Sequence, residues 1–357
     1  MGGRVGRDRA LDAVRGLCIC YMAMAHVCYG SALFGAMSFI PWVDGASGFI
    51  LISGLVLGML SRRRTDVAGV ADAQARLGRR TALLYASHLA LTALTVVVAA
   101  AADSEDPTWP SVTDASPTQV AGWLVTMQIN PRFVDVLSMY VVLLVLAIAW
   151  TPLLERGWWP AVAGSSALLY AVAVATGWGR FPNQPDGYAY FNTAAWQALF
   201  ASAFVVGWHW NRLADRMRGP TALAVAVGGG LLLAATGVLV RDTAAGAIAF
   251  DKPECGVGRI VLAWAVFVVL HQLSRFAVTR TPALVGPMVM IGSRSLACFI
   301  ALCVIETFLP LAIGSDRTTF AAQIAGVLTV LAMYPIARAR GTAGAALTGW
   351  RRRPSPA

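Results

Sequence analysis

Residues 133–152, FVDVLSMYVVLLVLAIAWTP, decide the fold. Asp135 is the one charged residue in the run, and every side chain from Val141 to Trp150 is apolar. A helix rises about 1.5 Å per residue, so twenty residues cover about 30 Å, the thickness of a bilayer's hydrocarbon core. Working outward, nine further runs have the same character: 11–33, 43–61, 81–102, 160–177, 193–211, 220–240, 257–274, 290–313 and 319–337. Proline or glycine marks most of their ends, as at Pro41, Pro131, Pro160, Pro220, Pro282 and Gly314. The runs are continuous rather than alternating, which excludes a transmembrane β-barrel.

The composition agrees. Hydrophobic residues make up 57% of the 357, and charged residues only 13%, against about 25% in an ordinary soluble domain. That excludes a cytosolic enzyme, a disordered chain and a secreted disulfide scaffold. Five of the six cysteines lie in apolar runs, Cys255 sits in a polar loop, and no zinc or disulfide spacing occurs. No metal site is expected.

Of 28 basic residues only Lys252 is a lysine. The net charge of +10 could suggest nucleic acid, but its distribution reads as membrane orientation. With the N-terminus inside, 20 basic residues fall on cytoplasmic segments and six outside, and loop 103–118 carries four acids and no base. The expectation is an all-α polytopic membrane protein of about ten transmembrane helices, both termini cytoplasmic. Residues 1–340 form one transmembrane domain, and 341–357 a basic cytoplasmic tail without structure. The first run reads as a retained span rather than a cleaved leader.

Ionisable residues inside spans are costly and mark cavities or functional paths. In the first run, Arg15 and His26 are eleven residues apart, which places them about 20° apart around a helix and about 16 Å apart along it. Asp12 lies within about 40° of the same face. A structural histidine above an interfacial Asp–Arg pair is the alternative. Asp44 opens the second run near the outer edge, where it can lie beside His26 and orient the imidazole, or simply cap the helix. The cluster Arg76, Arg79 and Arg80 leads straight into the third run and suits phosphate, with membrane anchoring as the alternative. Thr81, Tyr85, His88, Thr92 and Thr95 share one face of that run, either as the wall of a cavity or as interhelical glue. On the outer side Asp135, Asn192, Trp196, Gln197, Lys252 and Arg259 make up the polar and aromatic set of a carbohydrate site, although tryptophan also belongs to interfacial belts. Among the outer cations, Arg132 and Lys252 have acids close in sequence. Arg259 has none within four residues, so it reads as the uncommitted cation of the outer side, with anchoring of its helix at the interface as the alternative.

Several blocks carry a resemblance: LDAVRGLCICYMAMAH (11–26), DGASGFILISG (44–54), RRTALLYASHL (79–89), PRFVDVLSMYVVLL (131–144), FNTAAWQALF (191–200), DKPECGVGRI (251–260) and IGSRSL (291–296). In this order they resemble the acyltransferase-3-like integral membrane family, and within it the OpgC-type branch associated with succinylation of periplasmic glucans. Arg15 and His26 reproduce the family's arginine, ten residues, histidine motif, and Arg76 with Arg79 its Arg-x-x-Arg. The chain departs from the branch at Gly45, Ala46 and Ser47, and IGSRSL lacks a histidine often seen there.

The resemblance implies a membrane O-acyltransferase of the bacterial plasma (inner) membrane. It would move a succinyl or acetyl group from cytoplasmic acyl-coenzyme A (acyl-CoA), a co-substrate rather than a resident cofactor, to a hydroxyl of an extracytoplasmic glycan or glycolipid. His26 would be the base, Asp44 its orienting carboxylate and His88 the second choice. Arg15, Arg76, Arg79 and Arg80 would hold the donor's phosphates. The partners expected are donor, acceptor and membrane lipid, with no nucleic acid. A transporter or flippase for a glycan or lipid-linked intermediate is the rival reading, and a non-catalytic partner in glycan synthesis is a third.

Overall fold

The computed structural model describes residues 8–350 apart from 39, 41, 103–105, 107–108, 111, 113–114 and 185–186, with no side-chain description for 340–350. Arg4, Arg7 and Arg351 to Arg353, which entered the charge count, lie outside the described residues.

The helices run in chain order as α1 (Arg9–Val27), α2 (Ala32–Met37), α3 (Gly45–Ala102), α4 (Pro117–Val125), α5 (Asp135–Glu155) and α6 (Trp159–Thr176). A two-stranded antiparallel ribbon follows, β1 (Arg180–Pro182) and β2 (Tyr188–Asn192), with Arg180 opposite Asn192. Then come α7 (Thr193–Trp208), α8 (Trp210–Arg218), α9 (Pro220–Val240), α10 (Ala244–Ala249), α11 (Val257–Arg280), α12 (Pro282–Ser293), α13 (Ser295–Ile313) and α14 (Phe320–Trp350). Among the described residues, eight helices are long and apolar enough to cross a membrane, which makes the chain a multi-pass membrane protein. Among the described residues the ribbon is the one departure from an all-α chain.

Three elements differ from the sequence expectation. The arginine-rich stretch after residue 61 is helical, because helix-forming residues continue past the apolar run and water satisfies the outer face. Residues 45–102 form two helical arms that meet at Gly69, whose φ of 82° is left-handed and costs glycine little. An ion pair between Arg64 and Asp72 ties the arms together across it. The expected run 290–313 is broken at Arg294 (φ −126°, ψ 31°), which separates α12 from α13. Just before the break, the Ser293 hydroxyl donates to the Met290 carbonyl at 2.8 Å and so competes with the helical ladder. Helix α14 continues to Trp350, into the segment expected to be an unstructured tail.

Helix α1 is central. Thirteen of its nineteen residues are buried, while in α9 only Gly237 is. Helices in lipid gain from close packing of small residues. A Cβ at Gly58 would strike the Phe204 carbonyl, and one at Gly207 the Leu55 carbonyl, so glycine on both sides lets α3 and α7 pack backbone to backbone.

At its first turn α1 is fastened by Asp8. The carboxylate caps the helix by accepting from the amides of Ala10 (3.0 Å) and Leu11 (3.3 Å). It also lies 3.2 Å from Arg218 and 3.6 Å from His271 Nε2. Burial works against the Asp8 charge, but His271 and the two amides prevail and bring its pKa down to about 2.

Candidate active site

Asp44 stands at the N-terminus of α3. Its Oδ1 accepts from both the amide and the hydroxyl of Ser47, each at 2.9 Å. Oδ2 meets Lys252 Nζ at 2.9 Å and Arg259 at 3.5 Å. Burial works against the Lys252 charge, and Asp44 reverses that, so the ammonium sits above its usual 10.5.

The position differs from the outer-edge placement expected. Gly45 packs against the Cys18 carbonyl and Met22, so α3 begins beside the middle of α1. The connection folds back to reach this depth, and Tyr21 and Ser38 hydroxyls meet there at 2.8 Å. Arg259 is also corrected. It is 5% exposed and already paired with Asp44, so it is not the uncommitted cation the local sequence implied.

Lys252 is aimed by a clamped loop, residues 251–256. The Trp196 indole donates to the carbonyls of Lys252 (3.1 Å) and Pro253 (3.2 Å). The Asn192 side-chain amide donates to Glu254 at 2.6 Å, and Arg180 pairs with the same carboxylate at 2.5 Å. Tyr170 donates to the Cys255 carbonyl at 3.2 Å, and Cys255 itself has a left-handed φ of 46°. Cys255 is therefore buried despite its polar neighbours. Asn192, Trp196 and Gln197 are all fully buried. Gln197 spends its amide on Ser166, accepting from its hydroxyl and donating to its carbonyl, both at 2.8 Å. Asn192, Trp196 and Gln197 are thus engaged in holding this loop and the helices beside it.

His26 lies in the last turn of α1 and is half-buried. Among the described residues no hydrogen bond holds its imidazole. The charges it feels are Lys252 first, then Asp44 and Arg317. Asp44 thus reaches His26 through its field, its oxygens being taken up by Ser47 and the two cations; a direct orienting bond is absent. The arrangement is one imidazole with a paired cation and carboxylate beside it, at the end of α1 remote from its arginines.

The OpgC protein family matches residues 7–343. The chain belongs to the OpgC family. A search of curated proteins finds no match.

In this OpgC-family chain the expected phosphate cluster divides. Arg76 and Arg79 are exposed, whereas Arg80 turns inward to a small cavity of about 20 Å³ shared with Phe49, Tyr140, Ser295 and Phe299. Tyr140, which the sequence places with Asp135 at the outer opening of its run, is buried and lines that cavity, and its hydroxyl feels both Arg80 and Arg15. Arg15 therefore converges with Arg80 and not with the exposed pair.

His88 is fully buried in the second arm of α3, beside the Val134 backbone. Asp135 follows Val134 and is buried too, with neither carboxylate oxygen hydrogen-bonded among the described residues. It feels the charges of Lys252 and Arg132. Thr95 and Thr307 join α3 to α13 behind them at 3.1 Å. Among the described residues no group of three His, Cys, Asp or Glu side chains is placed to hold a metal ion. One compositional signal pointed to the centre: the chain's single lysine.

Proposed function

We propose that this chain is an O-acyltransferase of the acyltransferase-3-like kind, moving a succinyl or acetyl group from acyl-CoA to a hydroxyl of an extracytoplasmic glycan or glycolipid. Membership of the OpgC family, which is associated with acyl transfer, supports the reaction class. The observation that carries the reading is the half-buried His26 imidazole, without a hydrogen bond among the described residues, in the field of the Lys252–Asp44 pair.

A hydroxyl is a poor nucleophile at neutral pH, and a positioned imidazole contributes about 10²–10⁴-fold. His26 takes the acceptor's proton as its oxygen bonds to the thioester carbonyl carbon. The carbonyl oxygen becomes an alkoxide, which the nearby ammonium of Lys252 stabilises electrostatically. Collapse breaks the carbon–sulfur bond, and the departing thiolate takes the proton from the imidazolium. Asp44 and Arg259 set the position of Lys252, and Arg15 and Arg80 add positive charge on the donor's side of the site. Arg76 and Arg79 act as outlying cations that draw the donor to the membrane.

The proposed topology is ten spans with both termini cytoplasmic in a bacterial inner membrane. It treats residues 1–340 as one domain, and is motivated by the 20:6 basic bias. The test of function is consumption of labelled succinyl- or acetyl-CoA by purified protein with a glucan acceptor. One observation favours transport instead: broken helices such as α12 and α13 line the substrate sites of transporters. Glycan flux into sealed vesicles without thioester consumption would select that reading.

A further inference from the structure

Three groups of arginines face the end of the bundle where α1 begins, and the space beside each differs. Arg76 and Arg79 are exposed. Arg80 adjoins a cavity of about 20 Å³, room for about one water. Arg9 and Arg294 line an open cavity of about 500 Å³ between α1, α12 and α14, together with Asp12, Gly286, Pro287 and Tyr334. Small-molecule sites commonly measure about 300–1,000 Å³.

We infer that this cavity seats the phosphorylated adenosine of the acyl donor, with Arg9 and Arg294 on its phosphates. The inference rests on the acyl-CoA reading above and names a different donor seat from the Arg-x-x-Arg cluster. Arg294 is held at the α12–α13 break, its NH1 donating to Ser293 Oγ at 3.1 Å and lying 2.7 Å from Met290 Sδ. A guanidinium fixed in this way offers planar, charge-assisted bonds to a phosphate at little entropic cost. Tyr334 on the lining presents an aromatic face for the base. Proline at 282 and 287 stiffens the opposite wall.

The distance to the reacting group selects the ligand further. Asp12 and His26 lie on one helix fourteen residues apart, about 21 Å along its axis. A ligand whose phosphates sit at Arg9 and Arg294 reaches that imidazole only through a long, thin extension. Coenzyme A has one in its pantetheine arm, whereas a simple nucleotide or free phosphate does not.

The test uses the full chain in lipid nanodiscs with adenosine 3′,5′-bisphosphate as probe and inorganic phosphate as a second arm. A Cβ at Gly286 meets open space, so Gly286→Phe fills the cavity without a backbone collision. Gly286→Phe and Arg294→Gln should each weaken bisphosphate binding at least tenfold and raise the donor KM, with kcat at saturating donor largely kept. Phosphate alone should bind far more weakly than the bisphosphate. If both variants bind the bisphosphate as wild type does, or if only Arg76→Gln and Arg79→Gln lose it, the assignment of this cavity falls while the acyltransferase reading stands. A wild type that neither consumes acyl-CoA nor binds the bisphosphate removes both.

Discussion

Lys252 Nζ lies 2.9 Å from the Asp44 carboxylate, joining a loop and a helix start more than two hundred residues apart. Breaking a buried pair by deleting one partner costs about 3–5 kcal/mol. Lys252 keeps 38% of its side chain exposed, so solvent screening reduces the expected cost of Lys252→Gln to about 1–2 kcal/mol. Asp44→Ala should cost more, because it also strips the Ser47 amide of its cap and leaves Arg259 buried without its carboxylate. A double-mutant cycle by thermal unfolding in detergent should show the two changes to be non-additive. Strict additivity would mean that the pair contributes nothing.

His26→Ala should reduce kcat by about 10²–10⁴-fold while the protein stays inserted and folded, since among the described residues no hydrogen bond holds the imidazole. Thermal unfolding beside the transfer assay separates the two effects. Transfer within threefold of wild type would remove His26 from the chemistry.

Trp196→Phe keeps the ring and deletes the indole donor to the Lys252 and Pro253 carbonyls. The clamp should loosen, lowering kcat similarly for every acceptor and with little further loss in a Lys252→Gln background. An acceptor-specific rise in KM would instead mean that Trp196 touches the sugar.

Asp8→Ala removes a helix cap, worth about 1 kcal/mol, and the contacts with Arg218 and His271. Asp8 is depressed, so its contribution is present above 3.8 and lost as pH falls toward about 2. The melting difference between wild type and Asp8→Ala should narrow over that range and be constant above it. A difference that persists unchanged at pH 2 would contradict the assignment.

Reporter fusions at residues 110 and 350 should report opposite sides of the membrane. The same side for both would overturn the ten-span count.

Much was legible in the sequence alone because it depends only on local properties. An apolar run's length sets whether it spans a bilayer, and arginine counts beside it set orientation. Arg15 and His26 share a face by helix arithmetic, and the lone lysine marked an unusual position. Polarity within a run did not show where backbone bonding would stop, so the helix through 62–80 and the break at Arg294 emerged only in three dimensions. Partner choice was likewise decided by the tertiary structure. Arg259 looked uncommitted because its nearest acid in sequence was five residues away, yet Asp44 reaches it across the bundle. Trp196 and Asn192 looked like a sugar site, yet they face inward to hold the Lys252 loop. In each case an unpaired buried charge or donor is costly, and which group relieves it depends on how distant helices meet, which no local stretch of sequence encodes.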